Sequence, residues 1–145
     1  MGQVLNFGRE FTQPGRMARQ DLGLPMPDLA NVWAERVVQA NTFSYGDFVS
    51  KGTTWVLASY DDRNEEVDGM IVQATTTFFY VAMTQQPLDL LAHGLGSKGT
   101  IWGGLAGAAT ANEPSGSALK NLQRIGRVIN ADRIFLRIEH PSKRF

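Results

Sequence analysis

Apolar and polar residues alternate most cleanly near the end of the chain. In "RIFLRIEH", Ile134, Leu136 and Ile138 fall on one face and Arg133, Phe135 and Arg137 on the other, the period of a strand with one buried side. From Arg36 onward the runs "RVVQA", "GDFVS", "TTWVLASY", "VDGMIVQAT", "TFFYVAMT", "LDLLA", "GTIWGG" and "LQRIGRVI" are short and rich in β-branched and aromatic residues. Gly, Asn, Asp or Pro clusters separate most of them, as turns between strands require. "TFFYVAMT" is apolar on both faces, so it predicts a strand covered from both sides. The pattern predicts an all-β fold, a small antiparallel barrel or sandwich over residues 36–140, with 141–145 as a tail.

Residues 1–35 follow neither period. They hold Pro14, Pro25 and Pro27, four glycines by residue 30, and the scattered apolar groups Val4, Leu5, Phe7, Phe11, Leu22 and Leu24. A disordered tail is poorer in leucine and aromatics, so the segment reads as an extended N-terminal arm with apolar anchors. "PDLANVWAER" offers at most one short helix, with Asp28 as its cap and Leu29, Val32 and Trp33 on one face.

Length narrows the picture to one domain: a chain of 145 residues buries about 68–70% of its unfolded surface without staples. With no cysteine, disulfides and thiolate metal sites are excluded. Zero formal net charge and a pI near 6.7 argue against a general nucleic-acid binder. No apolar run approaches the ~18 residues of a membrane span, and the first residues lack the apolar core of a signal peptide. Charge is unevenly placed, however. "DDRNEEVD" (Asp61 to Asp68) carries five acids and one base, and Lys120 to Phe145 carries seven bases and two acids.

Candidate chemistry is sparse. Gly94, Gly96 and Gly99 have the G-x-G-x-x-G spacing of a dinucleotide loop, but the fingerprint needs a helix opening after the second glycine. "TIWGGLAG" follows instead, so these glycines are expected to supply positive φ in turns. His93 and His140 lack metal-ligand spacing, and His93, opening the turn, is expected to bond backbone. Ser97 has no nucleophile elbow around it. The acidic run lacks the ligand order of a calcium loop and reads as a solvated hairpin loop. No catalytic residue, metal site or cofactor is expected. The basic stripe Arg124, Arg127, Arg133, Arg137, Lys143 and Arg144 could contact nucleic acid, but neutrality and the lack of an aromatic-basic motif make pairing with a neighbouring copy the expectation. Arg124, Arg127, Arg133 and Arg137 would then meet Asp61, Asp62, Glu65 and Glu66.

Several motifs also fall in a telling order. Val37 to Ala40 leads to Gly46-Asp47-Phe48-Val49, then Trp55 to Ala58, the acidic loop Asp61 to Glu66, and Val67 to Val72. The aromatic strand Thr77 to Met83 precedes His93-Gly94-Leu95 and Lys98 to Trp102. A Gly107-to-Pro114 loop, Ile125 to Val128 and Arg133 to Ile138 complete the series. This order resembles a domain of tailed-bacteriophage virion proteins, especially capsid decoration (cement) and head-fibre proteins. "GGLAG" in place of a Tyr-Leu-Ser continuation, and Asp68 within the "V-G-V" strand, depart from it.

The resemblance implies a non-enzymatic virion structural protein on the capsid surface, made in the host cytoplasm. Its partners would be the major capsid protein and itself, as a homo-oligomer with a trimer favoured, and neither nucleic acid nor membrane. Leu5, Phe7, Phe11, Leu22 and Leu24 would make the arm's contacts with capsid or sister subunit. A tail or fibre adaptor, or a host-surface binder, is the alternative, marked by exposed Trp and Tyr beside the acidic loop for stacking on a glycan. A small β-barrel enzyme or ligand carrier, marked by a closed apolar pocket, is the more distant one.

Overall fold

The computed structural model describes residues 3–4, 32–83 and 85–143. Among them there is no helix. Strands β1 (Gln3–Val4), β2 (Trp33–Val38), β3 (Phe48–Lys51), β4 (Trp55–Leu57), β5 (Gly69–Ala74) and β6 (Phe78–Ala82) form one antiparallel sheet in the order β1-β2-β6-β5-β3-β4. β7 (Gln86–Asp89), β8 (Gly99–Gly103), β9 (Ala109–Thr110), β11 (Arg124–Asn130) and β12 (Arg133–Leu136) form a second, in the order β7-β12-β11-β8-β9. β10 (Asn121–Leu122) pairs with β13 (Ser142–Lys143). The expected all-β antiparallel architecture is present. The short helix is not: from Trp33 its residues are the strand β2, whose Ala34 to Val38 pair with β6. Ladder bonds to β6 and the burial of Ala34 outweigh a weak local helix pattern. The helix's residues 27–31 and the anchors Leu5, Phe7, Phe11, Leu22 and Leu24 lie outside the described residues.

The main core lies between the sheets. Ala34, Phe48, Met70, Val72, Tyr80 and Ala82 come from the first, and Leu88, Ile101, Ile125, Val128, Ile134 and Leu136 from the second. Alternation in the last strand is as expected, with Ile134 and Leu136 inside and Arg133 and Arg137 exposed. The first sheet is apolar on its other face too. Val49, Trp55, Ile71, Phe79 and Val81 form a second buried cluster, in which the Phe79 ring meets Phe43 edge-on at 5.1 Å and Trp55 at 6.1 Å. Residues 79–82 are thus buried on both faces, as the both-sided apolar pattern predicts.

The two sheets are stitched at their edges. The β8–β9 hairpin, turning through "GGLAG", reaches the first sheet: Phe48 N donates to Gly107 O (2.9 Å) and Gly107 N to Ala58 O (2.7 Å). A Cβ on Gly107 would lie 2.8 Å from Leu57 Cδ2, at a φ of +85°, so glycine is what allows this approach.

Three glutamines act as short stretches of strand, Gln39 within the first sheet and Gln86 and Gln123 between the two sheets. Each side-chain amide accepts from the N–H and donates to the C=O of one residue, as a neighbouring strand would. Gln39 holds Trp55 (2.9 and 2.9 Å). Gln86 holds Trp33 (2.9 and 2.8 Å) and also donates to Met83 O. Gln123 holds Val67 (2.8 and 2.9 Å) and donates to Glu139 O (3.0 Å). Gln123 and Val67 are both buried, where a polar group left without a partner costs about 1–3 kcal/mol. Gln123→Leu is therefore expected to destabilise the fold by at least about 3 kcal/mol in urea unfolding. Gln123→Glu, which keeps the shape and removes the donors, should cost a similar amount; a loss below about 1 kcal/mol in both would refute the clamp.

Candidate functional site

The outer face of the second sheet carries the basic stripe. In a regular strand Arg124 and Arg127 would point to opposite sides. A register shift between Arg124 and Gly126 in the pairing of β11 with β8 puts both outside, while Ile125 and Val128 stay buried. The shift is a β-bulge, which re-aims side chains without breaking the sheet. Gly126 permits it, since a Cβ there would sit 2.3 Å from Phe135 O.

Cross-strand neighbours then order the arginines. Arg127 lies opposite Phe135 on β12, and Arg124 opposite Trp102 on β8. Each guanidinium stands over the ring beside it, at 5.6 and 5.4 Å from the centroids, near enough for cation–π attraction of about 0.5–1 kcal/mol. Arg137 follows just past β12, its N–H bonded to Ile125 O at 3.0 Å. Together Thr100, Arg124, Gly126, Arg127, Phe135 and Arg137 line an open groove of about 240 Å³, with Glu139 the carboxylate on its wall. Among the described residues none of these three guanidinium groups is in an ion pair. Arg133 stands apart, bound to Asp89 on β7 at 3.0 Å.

The acidic run is not a hairpin loop. β4 and β5 both pair with β3, on opposite sides of it, so residues 58–68 cross from one to the other around the end of the sandwich. The loop is held there rather than freely solvated. Ser59 N donates to Glu65 O (2.9 Å), and Lys120 N and Asn121 N donate to Tyr60 O (2.7 and 2.9 Å). Asn121 Nδ2 donates to Asp62 O and Lys143 Nζ to Arg63 O. Lys143 also pairs with Glu66 at 2.8 Å. Asp61 and Asp62 accept from Ser59 Oγ and Asn64 N and remain exposed. Desolvation, then the charges of Asp62 and Asp61, push the Glu65 carboxyl above its ordinary value. Asp68, before the strand β5, accepts from Lys51 N at 2.7 Å, yet its burial raises its carboxyl.

Other expected residues are placed as follows. Gly94, Gly96 and Gly99 have φ of 71°, 97° and 122° and lead into the strand β8, so the glycine spacing makes turns. His93 is spent on backbone, as expected: Leu95 N donates to Nδ1 (2.9 Å), and Nε2 lies 2.6 Å from Asn130 O. With both bonds made, the ring carries its proton on Nε2. Ser97 and His140 are exposed. No group of three or more metal-ligating side chains occurs among the described residues. Beside the acidic loop Tyr60 is only half-exposed and Trp55 buried, so that loop offers no open aromatic platform for a sugar.

Sequence reading found the basic stripe but missed its partition into Arg133, paired with Asp89, and three arginines with no ion pair among the described residues. It also missed Trp102 and Phe135 beneath the guanidiniums, and the bulge. The "RIGR" string, with glycine between two arginines three apart, is the signal that points to it. No family model, curated protein or solved structure matches the chain.

Two outcomes follow from this geometry. Gly126→Ala forces the β11–β12 backbones apart and should cost more than about 1 kcal/mol in urea unfolding. Glu65 has its pKa raised by folding, so its ionisation opposes the folded state. That penalty is absent below the ordinary value of 4.5 and fully developed above the raised one. Glu65→Gln should therefore raise Tm at pH 7 and lose that advantage below about pH 4; an equal gain at both pH values would contradict the assignment.

Proposed function

We propose that the chain is a non-enzymatic structural protein of a bacteriophage virion, a capsid decoration or head-fibre part that binds the major capsid protein and self-associates. One observation carries most weight beside the motif order. The polar side chains that elsewhere would build a reactive site are turned on the chain's own backbone: Gln39, Gln86, Gln123 and His93, together with Asn41 and Tyr45. Such bonding makes a stiff, self-contained part, the property a capsid-reinforcing element needs. Anchoring is assigned to Leu5, Phe7, Phe11, Leu22 and Leu24.

Gln3–Val4 pairs with β2, so deleting the arm would also strip a strand from the sheet edge. Point substitutions test the anchor better. Full-length protein should co-sediment with purified heads of the phage that encodes it. Leu22→Asp with Leu24→Asp should weaken that binding at least about tenfold, the effect of roughly 1.4 kcal/mol, with Tm unchanged. Full-length protein that stays in the supernatant at every concentration would end the capsid reading.

A further inference from the structure

We infer that the groove between Arg124, Arg127 and Arg137 is the receptor for the Asp61–Glu65 loop of a second copy of this chain. The inference takes its setting from the virion reading above and names the partner of the self-association proposed there.

The argument rests on complementarity between two surfaces of one molecule. The groove presents three exposed guanidiniums within one short stretch of sheet, two of them held in place by the rings of Trp102 and Phe135. Planar, pre-oriented guanidinium groups recognise carboxylates by paired hydrogen bonds. Because their side chains are already ordered on the rings, little rotamer freedom is left to lose on binding.

The loop supplies the opposite surface. Its backbone is pinned by Asn121, Lys120 and Lys143, so Asp61 and Asp62 stand exposed on a fixed turn, each with one carboxylate oxygen beyond the one that accepts from the loop itself. Lys143 engages Glu66, not the other acids. The chain is neutral, with 14 acids and 14 bases, so copies carry no net charge to hold them apart, while opposite local charges can select a register.

A contact from a loop on one copy to a sheet face on the next is heterologous. It closes into a ring when the rotation between copies divides a full turn. Nucleic acid also prefers arginines beside aromatic rings, but the loop matches the groove in charge and is present at equal number on every copy.

Light scattering on full-length protein at low and high salt provides the test, with no capsid present. The native chain should form a multimer that weakens as salt rises. Arg124→Glu with Arg127→Glu, and separately Asp61→Lys with Asp62→Lys, should each weaken association at least about tenfold. Mixing the two variants should restore association between unlike chains, since each loop then meets a groove of opposite charge on the other variant. A ring with an odd number of copies keeps one like-charged contact, so the readout is the mass of mixed oligomers, down to the heterodimer. Restoration also certifies that both variants are folded. A native chain that stays monomeric overturns the inference, as does a multimer unchanged in either variant, or variants that do not recover on mixing while their circular dichroism matches the native protein. Binding of a single-stranded oligonucleotide, lost with the arginine pair while the mass stays constant, overturns it too and gives the groove to a polyanion. Since none of these readings involves heads, they fail or hold independently of capsid binding.

Discussion

The sandwich depends on amide side chains doing the work of missing strands. A two-sheet fold has places where the chain must leave one ladder before joining the next, and there its N–H and C=O groups are buried without a strand beside them. Gln123 closes such a gap at the buried Val67, and Gln39 and Gln86 do the same for Trp55 on the edge strand β4 and Trp33 at the start of β2, each holding both polar groups of a single residue. Their positions are telling. Gln86 ties the edge of the second sheet to β2 of the first, and Gln123 ties the start of β11 to the residue that leads into β5. With no cysteine to cross-link them, the sheets keep their relative position through the amides of Gln86 and Gln123, the Gly107 contact and the shared core.

The two sheets are chemically unlike. The first buries both faces, with Phe79 and Val81 turned to one cluster and Tyr80 and Ala82 to the other. Large apolar side chains contribute roughly 1.5–3 kcal/mol each when fully buried, far above the cation–π contacts on the second sheet. Stability is therefore concentrated in the first sheet and the space between the two. The outer face of the second sheet contributes little to folding, which leaves it available for charged groups. The irregularity beside β8 is placed with that effect: the bulge at Gly126 keeps Ile125 and Val128 in the core while turning Arg124 and Arg127 together outward.

Legibility in the sequence follows the same division. Strands with one wet face or two apolar faces announce themselves by period, as Arg133–Leu136 and the aromatic stretch around Phe79 do. β9, β10 and β13 are two residues long, too short to show any period, and they exist because their neighbours offer a ladder. The acidic segment reads as a hairpin loop because its composition is that of a turn; composition says nothing of the fact that β3 lies between the strands it joins. Glutamine is read as a surface residue, so the clamps are invisible until the backbone groups they meet are known. The arginine groove is half legible. The stripe shows in the sequence, but which arginines share a face depends on the bulge, and which is already paired depends on Asp89 lying opposite Arg133.

Segregated charge has a cost that the folded monomer does not offset. Interleaving acids and bases over one surface would lower the electrostatic energy, yet here the pairs Arg133–Asp89 and Lys143–Glu66 lie at the margins, and the centres of the two patches keep like charges together. Burial, and then the charges of Asp62 and Asp61, raise the Glu65 carboxyl on one side, while on the other the guanidiniums of Arg124 and Arg127 stand over the rings of Trp102 and Phe135. At physiological salt such patches act over only about 8 Å, so they hardly steer a distant partner and matter chiefly at contact. Their effect is orientation: they penalise every encounter that sets like patch against like, and favour the one that sets loop against groove. The bulge assembles the groove and backbone bonds fix the loop, so each charged surface is ordered within the chain itself.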